Sequence, residues 1–122
     1  MEPFLILRTS SILFAITAVG GLSMAVIRFG GKPNPPSWLA MVHGLLAAAG
    51  LTLLAYAWST TVIPGSAALA LLLFLLAALG GVALNLGYHL KAVPLPKWLV
   101  IAHGAIAVIG FVLLAVAAWG GR

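Results

Sequence analysis

Four apolar runs, each of about 20 residues and separated only by short connections, constrain this chain more than any other feature. They occupy approximately 4 to 27, 37 to 58, 66 to 88 and 97 to 119. A helix packed on a soluble core needs one apolar stripe, whereas these segments are apolar nearly all round, as lipid-surrounded helices are. Charged residues make up 6% of the chain, against about 25% in domains whose surfaces face water. The outer surface is therefore expected to face hydrocarbon. The chain is read as an integral membrane protein of a bacterial-type inner membrane, with the lipid bilayer as its first partner.

The connections, 30 to 36, 59 to 65 and 89 to 96, are short enough to hold consecutive helices antiparallel. The sequence predicts an all-α, up-down-up-down bundle of four transmembrane helices, one domain over residues 1–122. The first run lacks the basic n-region and small-residue cleavage site of a signal peptide, so it is kept as structure. With no cysteine, the chain offers no disulfide, no thiolate-ligated metal and no covalent c-type haem. The net charge of +5 would suggest nucleic acid in a soluble chain, but here the positions matter more than the sum, and no nucleic-acid partner is expected. Arg28, Lys32, Lys91 and Lys97 flank the first and third connections, Arg8 and Arg122 lie at the opposite end, and the second connection is uncharged. By the positive-inside rule the first and third connections are cytoplasmic and both termini lie outside.

Residues 13 to 58 align with 73 to 118 without a gap. The matches include Phe14/Phe74, Gly20/Gly80, Gly21/Gly81, Pro36/Pro96, Trp38/Trp98, His43/His103, Gly44/Gly104 and Gly50/Gly110. Leucine and alanine matches carry little weight in so narrow a composition; matched Trp, His, Pro and paired Gly carry far more. The chain reads as two tandem helical hairpins, at about 4 to 60 and 64 to 120. Each has an even number of spans, so both insert in the same sense, related by a pseudo-two-fold axis along the membrane normal. The second and fourth helices then share one diagonal and the first and third the other.

An ionisable side chain inside a bilayer is costly, and it usually faces the bundle interior and serves a function. His43 lies on the stripe Leu39, His43, Ala47, Gly50, Leu54, and every member recurs as Leu99, His103, Ala107, Gly110, Leu114. That spacing is one face of a helix, so both histidines are expected to point inward. At 1.5 Å per residue His43 lies roughly 10 to 12 Å from the start of its helix, and Gly20 and Gly21 about 12 Å from the end of theirs. Histidines and glycine pairs fall in one layer.

Axial histidine nitrogens hold the iron of b-type haem, and the macrocycle needs a slot with little side-chain bulk. The candidate site therefore has His43 and His103 as the metal ligands of one haem b and Gly20, Gly21, Gly80 and Gly81 as notches for the ring. Arg28, Lys32, Lys91 and Lys97 are the candidate partners of the propionates. No acidic residue lies near either histidine in sequence, so a backbone carbonyl one turn earlier, near Leu39 or Leu99, is expected to accept the second ring N–H. The same lack of carboxylates argues against a hard-metal or di-iron site.

With this histidine pair in a four-helix frame, the chain resembles the membrane-bound b-type cytochromes, whose bundles hold haem between paired histidines on facing helices. The resemblance covers the architecture and the His43/His103 pair only. It implies one-electron transfer with a quinone or a membrane redox protein. Those cytochromes commonly hold two haems on two histidine pairs; this chain has residues for one, which suits electron exchange at one surface rather than across the membrane.

Other readings use the same residues differently. Each histidine could ligate the magnesium of a separate chlorophyll-type pigment. Duplication alone would copy a histidine that merely bonds a carbonyl, in a non-catalytic accessory subunit of a larger complex or a homo-oligomer. A small transporter has least support, since Glu2 is the only acidic residue and lies outside the first helix. The glycine pairs also suit close helix packing, and Trp38, Trp58, Trp98 and Trp119 suit interfacial belts. His89, whose counterpart is Phe29, is expected to be solvated or to reach a propionate, and Arg8 to snorkel to the nearer interface.

Overall fold

The computed structural model describes residues 2 to 120 and is helical wherever it is regular; Arg122 lies outside the described residues. Helix α1 runs over Pro3–Phe29, α2 over Ser37–Thr60, α3 over Gly65–Leu84 and α4 over Lys97–Trp119. A π-helical turn, Asn85–His89, extends α3. With that turn counted, each of the four is long and apolar enough to cross a membrane. The helices run up to two residues past the bounds set by apolar content, because polar residues such as Arg28 and Thr60 continue the backbone ladder beyond them.

The ends follow from local chemistry. The Glu2 carboxylate accepts the N–H groups of Phe4 and Leu5, two donors that the first helical turn otherwise leaves unpaired. Pro36, Pro64 and Pro96 precede the other three helices in extended conformation, where a residue lacking an N–H loses nothing. After α1 the chain turns through Gly31 at φ +109°, a backbone angle that glycine adopts without steric cost.

Helices α1 and α2 pack along their length, as do α3 and α4, and the two hairpins join mainly through α1 and α4. Residue numbers run oppositely across the α1–α2 seam, where Ser10 donates to the Gly50 carbonyl at 2.8 Å and Thr17 meets His43. The α1–α4 seam is held by Arg8, whose Nε donates to the Ala118 carbonyl at 2.9 Å, and by Trp119, whose indole N–H donates to Ser11 Oγ at 2.9 Å.

Most of the buried core lies towards the termini, with Leu7, Leu54, Ala67 and Leu114 almost without solvent contact. At the opposite end the first and third connections are tied together. Arg28 Nε donates to the Leu95 carbonyl at 2.8 Å, Asn34 Nδ2 to the Val93 carbonyl at 3.1 Å, and the Leu95 N–H to Asn34 Oδ1 at 3.2 Å. His89 Nε2 donates to the Pro35 carbonyl at 2.9 Å, and Pro35 and Leu95 are buried beneath this clasp. Between core and clasp the interior is less tightly closed: on α2 the inward stripe passes from buried Leu54 and Gly50 to half-buried Ala47, His43 and Leu39, and α4 repeats the gradient.

Candidate functional site

The half-buried layer contains the two histidines. His43 on α2 and His103 on α4 face one another, with ring centroids 6.2 Å apart and ring planes at 70°. About two helical turns nearer the termini, Phe14 on α1 and Phe74 on α3 stack with centroids 3.8 Å apart and planes at 4°. Each diagonal of the bundle thus carries one aromatic pair, the histidines on α2 and α4 and the phenylalanines on α1 and α3.

Each imidazole is anchored by a neighbouring helix and not by its own. His43 Nδ1 donates to the Thr17 carbonyl at 2.9 Å, and His103 Nδ1 donates to the Ala77 carbonyl at 2.7 Å. This corrects the expected acceptors near Leu39 and Leu99. The rings reach across the seam, where the carbonyls of Thr17 on α1 and Ala77 on α3 face them beside glycines that carry no side chain. Since a carbonyl can only accept, the hydrogen sits on Nδ1, and in the neutral ring Nε2 keeps its lone pair.

The glycine pairs lie in the expected layer, and imidazole is what lies against them. A Cβ added at Gly21 would fall 2.9 Å from His43 Cε1, and one at Gly81 would fall 3.2 Å from His103 Cε1. At Gly20 the closest approach would be 3.7 Å, to His43 Cβ, and at Gly80 3.5 Å, to His103 Nδ1, both ordinary contacts. The four glycines therefore cradle the histidines. Gly50 and Gly110 do the same for the phenylalanines, with an added Cβ 3.0 Å from Phe14 and 3.3 Å from Phe74.

The four basic residues gather at the clasp end, with different commitments. Arg28 is engaged with Leu95, and Lys97 Nζ lies 5.6 Å from the Phe29 ring centroid. Lys32 and Lys91 are exposed. His89, expected to be solvated or to reach a propionate, belongs to the clasp through Pro35. Arg8 reaches the last turn of α4: besides its bond to Ala118 its guanidinium carbon lies 4.8 Å from the Trp119 ring centroid, which places a cation among the last carbonyls of α4, where the helix dipole favours it.

Sequence reasoning missed the main-chain acceptors at Thr17 and Ala77 and the bridging role of Asn34. A signal for the first existed, since each acceptor stands four residues before the second glycine of its pair. The Phe14/Phe74 match was visible in the repeat but carried no assigned role. No family model, no curated protein and no solved structure matches the chain.

Proposed function

We propose that this chain is a membrane b-type cytochrome that binds one haem b between His43 and His103 and exchanges single electrons with a quinone or a membrane redox protein. The observation that carries this is the pair of anchored rings. A first-row metal binds imidazole nitrogen at about 2.0 to 2.1 Å, so two imidazoles that shared one ion would stand with their centroids about 6 Å apart. His43 and His103 stand at 6.2 Å. Bare aromatic pairs also occupy about 4.5 to 7 Å; what favours ligation is that both Nδ1 atoms are bonded to carbonyls, leaving both Nε2 lone pairs as donors.

His43 and His103 would be the two protein ligands of a haem, which brings its own nitrogen donors, whereas a structural zinc ion would need four ligands from the protein. When bound, haem supplies the one-electron couple. The residues of the chain fix the ligand rings, keep them apart from water between the phenylalanine layer and the clasp, and offer Lys32 and Lys91, with Arg28 and Lys97 beside them, to the propionates. In this proposal the four helices span an inner membrane with the clasp on the cytoplasmic side and both termini outside. The sixty-residue repeat makes the two hairpins pseudo-two-fold equivalents about the membrane normal.

Purified from haem-replete cells, the protein is expected to show Soret and α bands that disappear in His43→Ala and His103→Ala. Colourless protein would contradict the proposal, and a stoichiometric membrane partner recovered with it would favour an accessory subunit.

A further inference from the structure

We infer that Gly21 and Gly81 are positioning residues for the histidines: by lacking a side chain they uncover the main-chain carbonyls of Thr17 and Ala77, and these carbonyls fix the imidazole tautomer whose Nε2 keeps its lone pair. This rests on the cytochrome proposal only for what Nε2 then ligates.

The helical ladder explains the spacing. In an α-helix the carbonyl of residue i points along the axis towards residue i+4, so the Thr17 carbonyl faces Gly21 and the Ala77 carbonyl faces Gly81. A carbonyl oxygen has two lone pairs; the helix uses one, and the second can accept from outside if nothing covers it. A methyl at Gly21 would stand 2.9 Å from His43 Cε1, the ring carbon between Nδ1 and Nε2, and so would push the ring off the carbonyl it bonds. At Gly81 the corresponding distance is 3.2 Å, closer than ordinary contact but less severe. A methyl at Gly20 or Gly80 would meet the ring or its Cβ at 3.5 to 3.7 Å, where it fits.

Unequal consequences within each pair separate this role from that of a notch shaped for a macrocycle. A notch loses depth whichever member is filled, whereas a carbonyl window closes only at its second glycine. Gly44 and Gly104, which follow the histidines directly, have nothing within 4 Å of an added Cβ. They provide controls in which a glycine beside the site becomes alanine and the ring is left alone.

The chemical consequence is a defined ligand. An imidazole whose other N–H is held by an acceptor has a fixed orientation and higher basicity at the coordinating nitrogen than one without. Losing the carbonyl bond weakens donation to the metal, which favours the reduced state and raises the midpoint potential.

The test uses cofactor-free protein in detergent micelles with ¹⁵N-labelled histidine, so it does not depend on haem binding. Wild type is expected to show His43 and His103 as single Nδ1–H tautomers. Gly21→Ala should move His43 to a mixed or Nε2–H population and leave His103 unchanged, Gly81→Ala should do the converse to a smaller extent, and Gly20→Ala, Gly80→Ala and Gly44→Ala should match wild type. A wild-type Nε2–H tautomer at either histidine would overturn the inference even if Gly21→Ala did not fold. So would equal effects at Gly20 and Gly21. Midpoint potentials of haem-loaded Gly21→Ala and Gly81→Ala give a second readout, expected to rise in both; absence of haem from wild type would sink the cytochrome proposal and leave the tautomer result standing.

Discussion

Gly50 and Gly44 lie on the same helix, yet alanine should act oppositely at the two. At Gly50 the added methyl would sit 3.0 Å from Phe14 Cε2, inside a stack that also fixes Phe74. Overpacking of this kind costs about 1 to 3 kcal/mol. At Gly44 nothing lies within 4 Å, and relief of the glycine penalty in a helix interior should stabilise by about 0.5 to 1 kcal/mol. Thermal unfolding in detergent should therefore lower the midpoint for Gly50→Ala and hold or raise it for Gly44→Ala; a shift of the same sign and size at both would contradict the packing described. At this scale the sequence revealed which side chains matter and little about what they touch. His43 and His103 stood out by duplication, but their acceptors are main-chain atoms of alanine and threonine positions on other helices, which no side-chain motif marks.

The four helices were legible because crossing a bilayer demands length and apolar content together, and both can be read without knowing a fold. The clasp between the first and third connections was not. Its bonds run mostly to backbone carbonyls, and Asn34 looks like any loop asparagine until Val93 and Leu95 are beside it. Even the sixty-residue repeat misled here, since His89, which bonds Pro35, replaces a phenylalanine in the other copy. Asn34→Ala removes two bonds between the connections. Each contributes about 0.5 to 1.5 kcal/mol, towards the lower end for groups this exposed. The variant should lower unfolding stability by about 1 kcal/mol and speed release of bound haem, measured by transfer to an excess of a haem-scavenging protein. Unchanged stability and release would show that the clasp contributes nothing to closing the layer.

For the whole molecule, the tight core at one end, the tied connections at the other and the less closed histidine layer between them form one arrangement. Burial on the inward faces of α2 and α4 falls along each helix at the same level as the histidines, although the residue types there stay apolar. Topology can be tested at this scale because the sequence contains no cysteine, so single cysteines report cleanly. Val62→Cys, at a position 93% exposed in the second connection, should react with an impermeant maleimide added outside intact cells, and Lys91→Cys should react only after permeabilisation. The reverse pattern would invert the proposed orientation while leaving the site intact. The site itself is tested most directly by titrating haem into the purified cofactor-free protein and following the Soret band. One equivalent per chain should saturate a low-spin, bis-imidazole spectrum, with His43→Gly regaining that spectrum only when free imidazole is supplied. Saturation at any other ratio, or an unchanged spectrum in His43→Gly, would contradict a haem held between His43 and His103.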